Sequence, residues 1–327
     1  MTKYLIIEKD FTDKLDIIKK QMEELTKSGD QVLDGSLNYL FATGGKMIRP
    51  SLLLIGSMFG KKTKKNQEII LDVATAIESI HLATLVHDDI IDQSDMRRNQ
   101  LSIQAKYGQS YAVYMGDYLL SQCFLMLSHL DLDKEVFTRV AKTVNQICLG
   151  DMKQHQMKFD LDITLDMYLR MVSKKTAALI SMSLAAGGYL SKASEETSKL
   201  LGKIGYEIGM IFQLVDDLLD YEGDQQVVGK DVQMDVIKGY YSSPIIYALQ
   251  SDTEQASHLK KLLSRELNEL DFEEIYSIVV STQSIEKTKE LVQRYHTRAR
   301  DLILKLPNGK GKDYLNELIP KLVNRVM

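Results

Sequence analysis

Apolar residues recur at three- and four-residue spacing along nearly the whole chain, which is the pattern of amphipathic helices, and no convincing alternating strand pair interrupts them. The pattern predicts helices over 10–27 and 30–43, broken by polar "KSGD", and then over 50–59, where Pro50 suits a first helical position. A long apolar helix is expected over 67–93 and another over 111–130, "YAVYMGDYLLSQCFLMLSHL". Helices are also expected over 134–158, 164–190, 194–221, 240–249, 254–267, 272–280, 284–305 and 313–325. Between them, "TGGKMIRP" (43–50) reads as a glycine-marked turn, "GKKTKKN" (60–66) as a solvated basic loop and "LPNGKGK" (306–312) as a linker. "EGDQQVVGKDVQMD" (222–235) is the one long polar loop inside the body, a kind of segment that often carries function.

Composition narrows the class. Only four prolines and no tryptophan in 327 residues, with frequent Leu, Ile, Met, Lys and Glu, favour one large all-α body, a single domain over 1–327. A 44% hydrophobic content is enough for a substantial core. The formal net charge of −4 gives no overall basic field toward nucleic acid or anionic lipid. Cys123 and Cys148 are too isolated for a disulfide framework or a thiolate metal site, which fits a reducing cytoplasm. The start "MTKYLIIEKDF" carries acids and a four-residue apolar run, unlike a signal peptide, and no stretch is expected to reach the ~18 uncharged apolar residues of a membrane span.

One short stretch changes the picture. "HDDIID" (87–92) places Asp88, Asp89 and Asp92 within five residues, and "VDDLLD" (215–220) repeats the spacing with Asp216, Asp217 and Asp220. On a helix the i and i+4 members share a face, so Asp88 stands with Asp92 and Asp216 with Asp220. Two carboxylates about 5 Å apart repel by roughly 3 kcal/mol at an effective dielectric near 20. Both clusters also fall at helix C-termini, where the macrodipole disfavours anions. If the two helices face each other, the carboxylates make an oxygen-only cage suited to Mg²⁺, a hard ion that keeps waters and bridges phosphates. A phosphate-bearing substrate would call for cations nearby. Arg97 and Arg98 follow the first cluster, Lys46 and Arg49 sit in the glycine turn before a helix, and Lys230 lies in the polar loop after the second. Taken in isolation, a pair such as Arg97–Arg98 reads as ordinary surface charge.

These blocks together resemble the trans-type polyprenyl diphosphate synthases, the head-to-tail isoprenoid chain-elongating family. The resemblance is carried by "GGKMIRP", "HLATLVHDDIIDQSDMRR", "SKKTAAL" (173–179) and "GMIFQLVDDLLDYEGDQQVVGKD" (209–231), in the family's order. It implies an all-α bundle of the isoprenoid synthase type with a central active-site cavity. It also implies Mg²⁺ as cofactor, three per site with Mn²⁺ as a substitute. Asp88 and Asp92 match the metal-binding ends of the first motif and Asp216 the principal ligand of the second. Asp89, Asp217 and Asp220 would then reach the metal through water or support its ligands, with Asp220 counted in the metal set. Arg97 corresponds to a contact with the allylic diphosphate, and Lys46, Arg49, His81 and Arg98 correspond to the isopentenyl diphosphate pocket. Lys175, Thr176 and Gln213 match residues that surround the reacting carbons, although Thr176 and Gln213 could equally be packing residues and His81 a core histidine. Two departures stand out: Asn99 where the family commonly has Gly, and Tyr240 where a diphosphate-binding Lys often follows the Gly, which leaves more of the load on Lys230.

The reaction so implied joins an allylic prenyl diphosphate to isopentenyl diphosphate. Departing pyrophosphate accepts the proton, since no side chain is an obvious base, and the 222–235 loop excludes water. Product length is read from the face that steps back from Asp88 through Thr84, Ala83, Ile80, Ile77 and Ala76. Short-product relatives carry an aromatic just before the aspartates, and here Ala83 and Thr84 stand there. The face runs back about 18 Å at ~1.5 Å per residue, which suggests a medium or long product of about six to eight units, as in quinone side chains. Phe124, Leu125 and Met126 are candidates for the floor. Alternatives are a shorter-product geranylgeranyl or farnesyl diphosphate synthase, a class I terpene cyclase, or a non-catalytic partner subunit. The expected assembly is a homodimer, or the catalytic half of a heterodimer with a small regulatory subunit.

Overall fold

The structure, a computed structural model, describes residues 9–25, 27–42, 44–221 and 235–324. Its helices are α1 (Lys9–Leu25), α2 (Gln31–Ala42), α3 (Ile48–Ser57), α4 (Lys64–Ile91), α5 (Ile103–Tyr107), α6 (Gln109–His129) and α7 (Lys134–Gln156). They continue with α8 (Leu165–Val172), a π-helical turn at Ser173–Ala177, α9 (Ala178–Leu190) and α10 (Glu195–Leu219). After the undescribed stretch come α11 (Ser243–Leu249), α12 (Glu254–Leu263), α13 (Glu269–Ser281), α14 (Ser284–Leu304) and α15 (Lys310–Val323). The helices expected from periodicity are therefore present. The polar loop at 222–235, with Lys230, lies outside the described residues except for Asp235.

Three local expectations are corrected. Helix α3 begins two residues before Pro50, because the first-turn N–H groups have no intrahelical acceptor and proline is tolerated there. A two-residue antiparallel ribbon, β1 (Met96–Arg97) with β2 (Gln100–Leu101), pairs Met96 with Leu101 and Arg97 with Gln100, and is too short to show as an alternating pattern. The expected run over 164–190 is interrupted by the π turn.

The chain packs as two compact units. The first holds Met1–Ala141, Met182–Gly202 and Pro307–Tyr314. At its core α4 buries Val73, Ala76, Ile77, Ile80, Ala83 and Val86. Ala83 and Val86 pack with Leu37 and Leu40 of α2 and with Ala112, Met115 and Leu119 of α6. Gly116 lets α6 close on α4, since a Cβ there would collide with the His87 ring. Thr63 starts α4 by accepting from the Asn66 N–H at 3.2 Å. By length and composition α4 could cross a membrane, contrary to the expectation that no stretch reaches that length, but most of its apolar window is buried, as in any core helix.

The second unit holds Lys142–Ser181, Lys203–Leu306 and Leu315–Met327. Here α11 buries Pro244, Ile245, Ile246 and Leu249 beside α14, which contributes Leu291, Val292, Tyr295 and Ala299. The π turn is held between two glycines. A Cβ on Gly150 of α7 would lie 2.6 Å from the Lys175 backbone nitrogen, and one on Gly209 of α10 would lie 2.5 Å from Ala177 Cα.

Candidate active site

In the first unit, α4 ends on the first acidic motif. Asp92 caps the helix, its N–H bonded to the Asp88 carbonyl at 2.8 Å. Asp88 and Asp92 are half-buried, one turn apart. Asp89, displaced by about 100° around the helix at ~3.6 residues per turn, points the other way and is 3% exposed. Arg97 grips it from the ribbon: Nε lies 2.8 and 2.7 Å from the two carboxylate oxygens and Nη2 lies 2.6 Å from Oδ1. This is a charge-assisted, bidentate contact on a buried acid. The expected diphosphate contact Arg97 is thus engaged with the middle aspartate in this structure.

A cationic pocket lies further back on the same unit. Gly44, Gly45, Met47, Glu78, His81 and Arg98 line it. Arg49 reaches the same neighbourhood, where it and Arg98 act electrostatically on Glu78 and His81. Arg49 Nε and Glu78 Oε2 are buried without a hydrogen-bond partner. Burial, then the guanidinium groups of Arg49, Arg98 and Arg97, hold the His81 imidazole well below its ordinary pKa. Burial raises the Glu78 carboxyl, while Arg49 and Arg98 oppose the rise. Lys46 is exposed on the turn. Glu78 was missed by sequence reasoning, yet as the only acid inside "VATAIESIHLATLV" (73–86) it was a visible anomaly.

In the second unit, the acidic motif at the end of α10 divides the same way. Asp216 is exposed and Asp220 half-buried, whereas Asp217 is 4% exposed. Asp217 accepts from the Tyr168 hydroxyl at 2.8 and 2.6 Å, from the Ser243 N–H at 3.0 Å and hydroxyl at 2.7 Å, and from Gln213 Nε2 at 3.2 Å. Gln213 Oε1 in turn accepts from the Thr176 hydroxyl at 2.9 Å. Beside it, Lys175 Nζ donates to Gln154 Oε1 at 2.8 Å and lies 3.0 Å from Asp151 Oδ1. Lys175 and Thr176 both project from the π turn, a distortion that recurs at functional sites. The structure thus joins Lys175, Thr176 and Gln213 into one polar cluster and adds Tyr168, Asp151 and Ser243, which no sequence motif marked. Tyr240 carries the Lys158 ammonium over its ring, 4.4 Å from the centroid.

Among the described residues no three His, Cys, Asp or Glu side chains cluster tightly enough to enclose a metal by themselves. The donor sets still fit Mg²⁺. Each motif offers two carboxylates at i and i+4 with the third acid turned into the protein, and Mg²⁺ characteristically takes one or two carboxylates, several waters and substrate phosphate oxygens.

Comparison with known proteins identifies the family and the fold. The Polyprenyl synthetase family matches residues 30–279. Heptaprenyl diphosphate synthase component 2 of Bacillus subtilis is 32% identical over 303 residues, 93% of this chain and 85% of its own length. The crystal structure of heptaprenyl diphosphate synthase from Staphylococcus aureus superposes with a TM-score of 0.88 at 33% identity, covering 97% of this chain and 99% of that one. That of geranylgeranyl pyrophosphate synthase from Lactobacillus brevis gives 0.90 at 30% identity, covering 97% and 98%. With the all-α isoprenoid synthase fold, both aspartate motifs and this likeness over nearly its full length, the chain belongs to the polyprenyl synthetase family and is a trans-polyprenyl diphosphate synthase.

Proposed function

We propose that this synthase extends an allylic prenyl diphosphate with isopentenyl diphosphate to an all-trans product of about six to eight units, the length suggested by ~1.5 Å of helix per residue, for quinone side chains. The observation that carries the length is the small-residue approach to the first motif: Ala83 is fully buried and Thr84 half-buried, with Ile80, Ile77 and Ala76 buried behind them. None of these five α4 positions is itself aromatic. The geranylgeranyl synthase among the solved relatives keeps a shorter product as the second reading.

In this reading Arg49, His81 and Arg98, with Lys46 on the turn, bind the isopentenyl diphosphate. The buried, partnerless Arg49 Nε supports an anion there, because a guanidinium N–H left unpaired in the interior is costly. Glu78 keeps the pocket from accumulating uncompensated positive charge. Asp88, Asp92 and Asp216, with Asp220 through water, would hold Mg²⁺, three ions per site with Mn²⁺ as a substitute. When bound, these ions neutralise the allylic diphosphate and make pyrophosphate a better leaving group. Arg97 anchors Asp89 and lies beside the same diphosphate, and Lys230 adds a further cation. As the allylic C–O bond breaks, the Thr176 oxygen and the Gln213 amide oxygen offer fixed negative dipole ends to the developing carbocation, and Lys175 is held in place by Gln154 and Asp151. The isopentenyl double bond then attacks, and departing pyrophosphate takes the proton.

The chain is proposed to act as a single catalytic domain over 1–327, in a cytoplasmic homodimer. The name "component 2" of the Bacillus subtilis relative supports the alternative of a two-component enzyme. The test is to incubate the purified chain alone with Mg²⁺, farnesyl diphosphate and labelled isopentenyl diphosphate and to size the product. Products of about six to eight units would agree with the depth set by ~1.5 Å per helical residue. Extension that stops at geranylgeranyl diphosphate would overturn the length, and inactivity rescued by a second protein would establish the heterodimer.

A further inference from the structure

The cluster in the second unit contains an asymmetry with a chemical consequence. A glutamine amide can present either its oxygen or its NH₂ group to a given neighbour, and packing alone does not distinguish the two. At Gln213 the choice is forced. Asp217 Oδ1 already accepts the Tyr168 hydroxyl at 2.8 Å and takes a second donor from Gln213 at 3.2 Å. Oδ2 is filled by Tyr168 at 2.6 Å and by the Ser243 N–H and hydroxyl at 3.0 and 2.7 Å. Every group around this carboxylate is a donor, so only the NH₂ end of Gln213 can face it. The amide oxygen then has to face Thr176, whose hydroxyl gives its proton to that oxygen at 2.9 Å.

We propose that Asp217, held by Tyr168 and Ser243, is a positioning residue that locks the polarity of the Gln213 amide, so that oxygens rather than NH groups meet the reacting carbons. The inference rests on the proposed place of Thr176 and Gln213 beside those carbons. It assigns Asp217 a task separate from metal ligation and gives a purpose to Tyr168, a buried phenol from α8 whose hydroxyl ends on this acid. If position 217 carried a carboxamide, its own NH₂ could donate to Gln213. The Gln213 amide could then turn over and bring its positive end toward a carbocation, raising the barrier while leaving substrate binding in place. Tyr168→Phe keeps the acid but removes the single hydroxyl proton that its two oxygens share, and loosens the same lock.

The experiment compares wild type, Asp217→Asn, Tyr168→Phe, Gln213→Met and the double variant Asp217→Asn/Gln213→Met, with farnesyl and isopentenyl diphosphates at saturating Mg²⁺ and then across a Mg²⁺ titration. The expected result is that Asp217→Asn lowers kcat by about tenfold or more, the scale of a lost preorganised dipole. KM values and the half-maximal Mg²⁺ concentration should stay within about twofold, while in the Gln213→Met background the same substitution should cost less than about twofold further. Tyr168→Phe should show the same pattern, smaller, and carries the test if the asparagine variant does not fold. A Mg²⁺ requirement raised about tenfold would make Asp217 a metal ligand, and equal losses in both backgrounds would make it a structural residue only; either outcome overturns the lock alone. An unimpaired Gln213→Met enzyme would instead remove the amide from the reaction, and the lock with it.

Discussion

At Arg98 and Asn99 the backbone turns through φ of +50° and +64°, and these two residues form the whole loop between the paired strands. A two-residue hairpin loop with both φ values positive is the tight turn that favours Asn and Gly. This explains why Asn99 can stand where the family commonly has Gly: the departure keeps the turn. Asn99→Gly should leave stability within about 0.5 kcal/mol, whereas β-branched Asn99→Val should cost about 1–3 kcal/mol, both read by denaturant unfolding. A valine variant as stable as wild type would show that the turn is not strained. His81 gives a pH prediction. Its imidazole is held well below the ordinary value by burial and by Arg49, Arg98 and Arg97. The unfolded chain therefore takes up this proton first, so the stability contribution is complete above about pH 6.5 and is lost as pH falls toward the depressed value. Glu78, raised by burial, acts in the opposite sense at lower pH, so the comparison with His81→Gln isolates the histidine. Wild-type Tm should fall more steeply than that of His81→Gln below about pH 6.5; parallel curves would count against a buried neutral His81. At this scale the sequence marked the acidic and basic side chains as candidates. It did not show that Asp89 meets Arg97 or that Asp217 meets Tyr168.

Helix periodicity was legible for the longer helices because it is a local property, repeated every three or four residues, whereas five-residue α5 (Ile103–Tyr107) is too short to show it and was not expected. The π turn was not, since one extra residue per turn over five residues disappears within an apolar run. Its backbone needs close neighbours, and Gly150 and Gly209 provide them. Gly150→Ala places a methyl against the Lys175 backbone. It should cost about 1–3 kcal/mol through overpacking and lower kcat by a larger factor than a distant substitution of equal stability cost. Denaturant unfolding and initial rates measured together would decide, and a stable but fully active variant would dissociate the turn from the chemistry. The product face belongs to α4 as an element. Ala83→Phe and Thr84→Phe should shorten the product ladder by several units, seen by thin-layer chromatography, and an unchanged ladder would refute this face as the channel wall. Of the candidate floor residues on α6, Leu125 is 50% exposed, while Phe124 leans on Phe137 with centroids 6.4 Å apart.

Over the whole molecule, the charges that matter are few against a formal net charge of −4, and they are gathered at helix ends and turns. Mg²⁺ characteristically takes substrate phosphate oxygens beside one or two carboxylates, so metal affinity should depend on the diphosphate substrate. Chelation should abolish turnover and Mg²⁺ should restore it. Asp88→Asn and Asp216→Asn should each lower kcat by about 10²-fold or more with little change in Tm; retention of activity under exhaustive chelation would exclude the metal reading. The sequence by itself determined the all-α class, the positions of the longer helices and the two i, i+4 acid pairs, since each depends on spacings of a few residues. The tertiary structure decided which acid of each motif is turned inward, what saturates it, and that a buried glutamate sits among the arginines of the cationic pocket. Those facts depend on meetings such as that of Tyr168 with Asp217, 49 positions apart, which no local pattern encodes.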